Sequence, residues 1–241
     1  MDKKELLEKA LTQESTFSDH KLENLLILGE FIGRNIIFFK DLYKGYKNKS
    51  EFVEFKASIG AKVTTVFDWE SGSVKISRVN IEVDLTIDSF LRFMNLIDTC
   101  FLEIIPIASV VDLNLDFMDD QVKEAMSKSK IGTLVVISGR KISLEKEMDD
   151  FVVDYIGRLW PFGETSYTPP ILLSNVMIKN VVHRGLVNDT EKELANRYRK
   201  DLIEQKKRSP TFVSESELSE IKERVEKNNE LEERKEGELI E

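Results

Sequence analysis

The chain has 241 residues, 41% hydrophobic and 33% charged, with a formal net charge of -9 and a pI near 5.1. That is apolar enough for a core, while the negative charge argues against broad binding to phosphate backbones. The single cysteine, Cys100, excludes an intramolecular disulfide and reads as a buried structural thiol. Two histidines, His20 and His183, without a Cys/His cluster exclude an ordinary four-ligand zinc site.

Met1 to Glu8 is polar and helical in pattern, without the basic and then apolar run of a signal peptide. A short helix is expected over residues 2–13. Ser18 or Asp19 would cap a second, running to about Tyr46, because Leu22, Leu25, Leu26, Gly29, Ile32, Gly33 and Ile36 recur at helical spacing. Its most apolar part, Leu25 to Phe39, is interrupted by Glu30, Arg34 and Asn35 and falls short of the roughly 20 apolar residues of a membrane span. It therefore reads as a buried helix of a cytoplasmic protein. Gly29 and Gly33 permit either a close helix contact or ordinary packing around two tolerated glycines, and the second is the simpler reading.

A hairpin is expected from Lys62–Trp69 and Val74–Leu85 across Glu70-Ser71-Gly72-Ser73, with Phe52–Ile59 as a third strand. The apolar parity of the second arm changes near Ser77–Arg78, which suggests a bulge or a change of buried face. Asp88 is the expected cap of a helix carrying Phe90, Phe93, Met94 and Ile97. After Ile105-Pro106 the pattern becomes β-like over Ile107–Leu113, helical over Phe117–Ser127, and β-like again over Leu134–Ile137 and Phe151–Trp160. Pro161, Gly163, Pro169 and Pro170 mark a loop, followed by strand candidates at Ile171–Leu173 and Lys179–His183. Thr190 and Glu193 form a capping box for a helix bearing Leu194, Tyr198 and Leu202, which Pro210 ends. Ser214 and Glu217 form a second box. Phe212 to Glu241 holds eleven acids against five Lys/Arg, a net of -6, so most of the chain's charge lies in an acidic tail, either solvated or folding on a partner.

Motifs for chemistry are few. Asp112-Leu113-Asn114-Leu115-Asp116 resembles the start of a calcium loop, but Phe117 and Lys123 stand where glycine and a bidentate glutamate are needed. The acids Asp112, Asp116, Asp119 and Asp120 read as a solvated edge and helix caps. No phosphate loop, dinucleotide fingerprint or nucleophile elbow is present. Ser138-Gly139-Arg140 reads as a β-turn and His183 as a solvent-facing strand residue. Arg197, Arg199, Lys200, Lys206, Lys207 and Arg208 read as a solvated face able to pair with the tail. Cofactors and metals are accordingly not expected.

Several blocks share one resemblance. Pro106-Ile107-Ala108-Ser109-Val110-Val111, Leu134 to Arg140, and Asp154-Tyr155-Ile156-Gly157-Arg158-Leu159-Trp160-Pro161-Phe162-Gly163 resemble the ordered motifs of bacterial domain of unknown function family 4176. Asn175, Ile178 and Val181–Gly185 fall at its Asn-containing turn and last strand. Departures are Ala108 for glycine, Trp160 for tyrosine, Leu186 for an aromatic residue, and a long Asn114–Lys130 connection. The marked residues Pro106, Ser109, Asp154, Tyr155, Gly157, Trp160, Pro161 and Gly163 make structural sense alone. Gly157 suggests a bulge or a close backbone approach, Pro161 and Gly163 a turn out of the sheet, and Tyr155 and Trp160 large buried area. The family carries no established catalytic residues. The resemblance implies a Gram-positive setting beside type VII secretion genes and LXG-type toxins.

The expected fold is α+β: N-terminal helices with a β-hairpin layer, then a small antiparallel sheet, a C-terminal helix and the acidic tail. The expected divisions are 1–103, 104–209 and 210–241, with the first two able to share a core. The expected function is a non-enzymatic cytoplasmic accessory or targeting protein of type VII secretion, chaperone-like, binding an LXG-type toxin or its small helical partner. The alternatives are an immunity protein neutralising a secreted toxin and a metal-dependent enzyme using the Asp112–Asp120 acids. Neither nucleic acid nor membrane insertion is expected.

Overall fold

The computed structural model describes residues 2–56, 61–118, 120–128, 132–144, 148–165, 169–221 and 223. The fold is α+β, with N-terminal helices, two antiparallel sheets and a C-terminal helix. Three helices open the chain: α1 (Lys3–Gln13), α2 (Leu22–Arg34) and α3 (Ile36–Lys47). The expected long helix is thus two helices. Asn35 breaks it, leaving the helical region at φ -116° and ψ 78°. Its side-chain amide donates to the Phe31 carbonyl at 2.6 Å, satisfying an acceptor that the end of α2 leaves open. Neither Ser18 nor Asp19 caps α2; Lys21 holds that position without a side-chain bond. Among the described residues no helix is long and apolar enough to cross a membrane.

The first sheet follows as an antiparallel meander of β1 (Phe52–Phe55), β2 (Val63–Asp68), β3 (Ser73–Arg78) and β4 (Ile81–Thr86). The hairpin across residues 70–73 is present, with Phe67 opposite Val74 and Thr65 opposite Ile76. The parity change at Ser77–Arg78 marks neither a bulge nor a face switch. The strand ends there, the chain reverses through Val79 (φ 55°), and Arg78 pairs with Ile81. A tight reversal and a bulge both reset the period of two, so the pattern alone does not separate them. The third strand stops at Phe55; residues 57–59, also expected in it, lie outside the described residues.

Helix α4 (Ile87–Phe101) is the axis of the molecule. Thr86, and not Asp88, is its cap, with Oγ1 accepting from the Ser89 amide at 3.1 Å. Every residue from Ser89 to Phe101 is buried. Packed around it are α1, α2, the first sheet and elements from the end of the chain. The two glycines of α2 are close contacts after all, against the simpler reading. A Cβ on Gly29 would lie 2.7 Å from Leu7 Cδ2, and one on Gly33 would enter the Phe101 side chain.

The second half contains β5 (Val110–Leu113), α5 (Asp120–Lys128), β6 (Leu134–Ser143), β7 (Val152–Leu159), β8 (Ile171–Leu173) and β9 (Ile178–His183). They form an antiparallel sheet in the order β8-β7-β6-β5-β9. Strand β6 does not end in a turn at Ser138-Gly139-Arg140 but runs on through a register shift between Ile137 and Gly139. A second core gathers Val111, Leu113, Val135, Ile137, Tyr155 and Leu173 beside Met118 and Met126.

Helix α6 (Asp189–Glu204) closes the fold. Its cap is Asn188, whose Oδ1 accepts from Glu191 at 2.9 Å, so the expected Thr190 cap lies two residues further on, inside the first turn. Ser214 does cap as expected, accepting from the Glu217 amide at 3.2 Å, and residues 215–221 are helical. Between them a short 3₁₀ turn, Pro210–Phe212, returns to the first core. There Phe212 meets Phe39 and Tyr43 at ring separations of 6.0 and 5.5 Å. Asp119 and the tail beyond Glu223 lie outside the described residues.

Candidate functional site

A fully buried helix must satisfy every polar side chain it carries. Helix α4 carries Arg92, Asn95 and Asp98 three residues apart, hence on one face. Their partners come from outside the helix. Arg92 pairs with Glu14 through Nη2, which also reaches the Lys206 carbonyl at 3.4 Å. Asn95 Oδ1 accepts from the Ser209 amide at 2.8 Å. Both Asp98 oxygens face the Asn175 amide nitrogen, at 3.0 and 3.2 Å. Sequence reading passed over all three residues, although a polar residue at every third position of an apolar helix was a signal.

The Asp-Tyr pair of the signature completes this seam. Tyr155 is fully buried. Its hydroxyl accepts from the Ile105 amide at 3.0 Å and directs its single proton at the Glu103 carbonyl (3.0 Å) or Asn175 Oδ1 (2.9 Å). Asp154 takes the Lys141 ammonium at 2.6 Å and the Ser209 hydroxyl at 3.2 Å. Arg199 is not part of a solvated face. It is largely buried, donating to the Thr99 carbonyl at 2.6 Å and also to the Leu102 carbonyl, so that α6 closes the C-terminal end of α4. Burial, and next the Asp154 charge, raise the Asp98 carboxyl to about 7. Cys100, buried as expected, is pushed up to about 12 by the same desolvation. The cavity at the seam measures only about 10 Å³, room for a water and no more. The seam therefore joins elements and holds charge; it does not admit a substrate.

The other marked residues lie elsewhere. Pro106 and Ser109 bracket a turn in which the Ser109 amide reaches the Pro106 carbonyl at 3.3 Å. Ser109 Oγ accepts from Gly185 at 2.9 Å. Ala108, standing for glycine, has φ 64°, which explains why glycine suits this position. Gly157 is a close approach, since a Cβ there would strike Val135 Cγ1. Pro161 and Gly163 do turn the chain out of β7, with Pro161 in a cis peptide and Gly163 at φ 67°. Trp160 does not supply buried area: it lies past the end of the strand and is 45% exposed. Arg140, expected in a turn, is buried and paired bidentately with Glu191 at the start of α6. His183 is exposed on its strand, as expected. The acids proposed for a metal diverge. Asp112 faces Thr133 and Lys179, Asp116 faces Lys44, and Asp120 faces Lys123. Among the described residues no group of three or more His, Cys, Asp or Glu is placed to hold a metal ion.

Two surface features remain. A cleft of about 720 Å³ is bounded by the start of α4, the turn after α6 and helix 215–221. Strand β9 forms one edge of the second sheet. A groove of about 180 Å³ beside it is lined by Ile36, Leu102, Ile105, Ile178 and Val181. Beyond the groove, Ile37 is 73% exposed, Val182 55% and Leu186 80%.

The segment that carries the signature matches one family model. Residues 104–194 match the model of a domain of unknown function, DUF4176. This DUF4176 segment takes in β5 to β9 and the first turns of α6. The first sheet, α4 and the return through Pro210–Phe212 lie outside it. The comparisons with curated proteins and with solved structures gave no match.

Proposed function

We propose that this is a non-enzymatic, cytoplasmic protein-binding factor of type VII secretion, engaging an LXG-type toxin or its small helical partner to assist export. The observation that carries the binding reading is the edge of β9 with its apolar margin. Val182 and Leu186 are exposed on, and just after, a strand with one neighbour, an arrangement suited to a partner chain and costly to leave in water. The secretion context comes from the resemblance of the DUF4176 segment. The test is capture of the tagged full-length protein from its native lysate, followed by binding assays with the recovered toxin cut into its N-terminal helical and C-terminal toxic regions. Binding to the N-terminal region or its helical partner supports export assistance. Failure to bind any toxin or export factor removes the proposal.

A second reading, an immunity protein, is favoured by the net charge of -9, which would steer a basic toxin domain onto this surface. It requires binding to the C-terminal toxic region and loss of toxicity on mixing.

A further inference from the structure

We propose that the groove between α3 and β9 is covered in the free protein by the chain's own residues 236–241, laid along β9 as an added strand that a partner must displace. The displacement rests on the protein-binding reading above; the cover itself does not. The groove has apolar walls and a basic margin. Ile36 stands on α3, Ile178 and Val181 on β9, and Leu102 and Ile105 complete the lining. Its one acid, Glu103, is held by Arg184. Lys179 approaches Asp112 at 3.7 Å and stays exposed. Lys40 forms no ion pair among the described residues and directs its ammonium at the Ile178 carbonyl. Burial lowers the Lys40 pKa, a cost that a carboxylate beside it would relieve.

Charge and reach select the occupant. A second copy is disfavoured, because a two-fold pairing centred on Val181 and Val182 sets Lys179 against Arg184 of the other copy. Glu236-Gly237-Glu238-Leu239-Ile240-Glu241 carries three acids, two large apolar residues and no base. Alternate side chains of a strand point to opposite faces. One face of this segment therefore holds Glu238 and Ile240, the other Leu239 and Glu241. Whichever turns inward brings one apolar residue to the groove and one carboxylate toward Lys40 or Lys179. The distance is within reach. Ile221 lines a cleft with Asp88, at the start of α4, and Leu102 follows the other end of that fifteen-residue helix, about 22 Å away. Residues 224–235 span up to about 40 Å when extended. A tethered segment also acts at an effective concentration of roughly millimolar, which no free acidic strand matches.

The experiment is hydrogen exchange of the full-length protein, followed residue by residue by NMR, with the β9 amides not bonded to β5 as reporters. They are expected to be protected, and to exchange about tenfold faster or more in the variant L239D/I240D. The variant V225D/L231D, altered elsewhere in the tail, should keep the protection. Lys40→Glu should lose it, and adding Glu238→Lys and Glu241→Lys to that variant should restore it. If Lys40→Glu fails to fold, L239D/I240D alone decides. Reporters that are unprotected, or unchanged by L239D/I240D, overturn the proposal. So does protection that rises with protein concentration, which would assign the edge to a second copy. A captured partner should bind L239D/I240D more tightly than wild type; equal binding overturns the displacement while leaving the binding role intact. Failure of any toxin or export factor to bind removes the binding role and leaves the measured cover standing.

Discussion

At the scale of single residues, the signature's Asp-Tyr pair is explained by polar groups that would otherwise be stranded. Tyr155→Phe keeps the ring but leaves the Ile105 amide without its acceptor. The expected loss is about 1–3 kcal/mol of folding stability, measured by urea unfolding, with little change in the slope against denaturant. Asp98 gives a pH signature. Its folded-state pKa, raised to about 7 chiefly by burial, lies above its value in the open chain. The native state therefore holds a proton that the unfolded state releases, and stability falls as pH rises from about 4 to about 7. The slope from this group alone approaches about 1.4 kcal/mol per pH unit. Asp98→Asn should flatten that fall while keeping an oxygen for Asn175; a slope unchanged in the variant would assign it to another group. Ala108 tells the opposite story. It occupies a left-handed conformation that costs an L-residue roughly 1–2 kcal/mol. Ala108→Gly should raise the melting temperature, by an amount equivalent to about 0.5–1 kcal/mol after the entropy of glycine is subtracted.

At the scale of elements, α4 organises the molecule by being buried on every side. Its start depends on Thr86, so Thr86→Ala should cost about 1 kcal/mol, while the same change at Asp88, which makes no capping bond, should cost less. The approach of α2 to α4 depends on Gly33. Gly33→Ala would drive a methyl group into Phe101 and is expected to cost about 1–3 kcal/mol in thermal unfolding followed by circular dichroism. The sheets differ in how their edges are managed. On β4, His20 Nε2 and the Asn24 amide reach the Asp84 and Glu82 carbonyls at 2.8 and 3.2 Å, so the α1–α2 region covers that edge. On β9 the Lys40 ammonium covers the Ile178 carbonyl at the first residue of the strand, while the exposed apolar residues lie further along.

At the scale of the whole molecule, the boundary near residue 104 divides the sequence but not the packing. The DUF4176 segment donates hydrogen bonds to residues just before it, from Asn175 to Asp98 and from Tyr155 to the Glu103 carbonyl. The segment after it returns to the first core through Ser209 and Phe212. Val176 and Ile203 belong to that same core. One cooperative unfolding transition is therefore expected, with fluorescence and circular dichroism coinciding. Phe212→Ala, which empties a site between Phe39 and Tyr43, should lower that single transition by about 3–5 kcal/mol. Separation into two transitions would contradict the shared core.

The sequence by itself determined the class of the fold, nearly every strand, the buried thiol and the DUF4176 resemblance. These follow from local periodicity, turn residues and short ordered motifs, all properties of neighbours in the chain. It misplaced caps by two or three residues and merged α2 with α3. Asn, Thr and Ser compete for the same capping geometry over adjacent positions, and periodicity continues across a one-residue break. It also misread Arg140 and Arg199 as turn and surface residues, because a charged side chain is buried only when a distant residue neutralises or accepts from it. Those partners, Glu191 for Arg140 and the carbonyls of Thr99 and Leu102 for Arg199, lie 51 to 100 positions away. Only the tertiary structure decided the seam along α4, the cleft beneath helix 215–221 and the open edge of β9. Each is made by residues that lie far apart in the chain and meet only in the folded state.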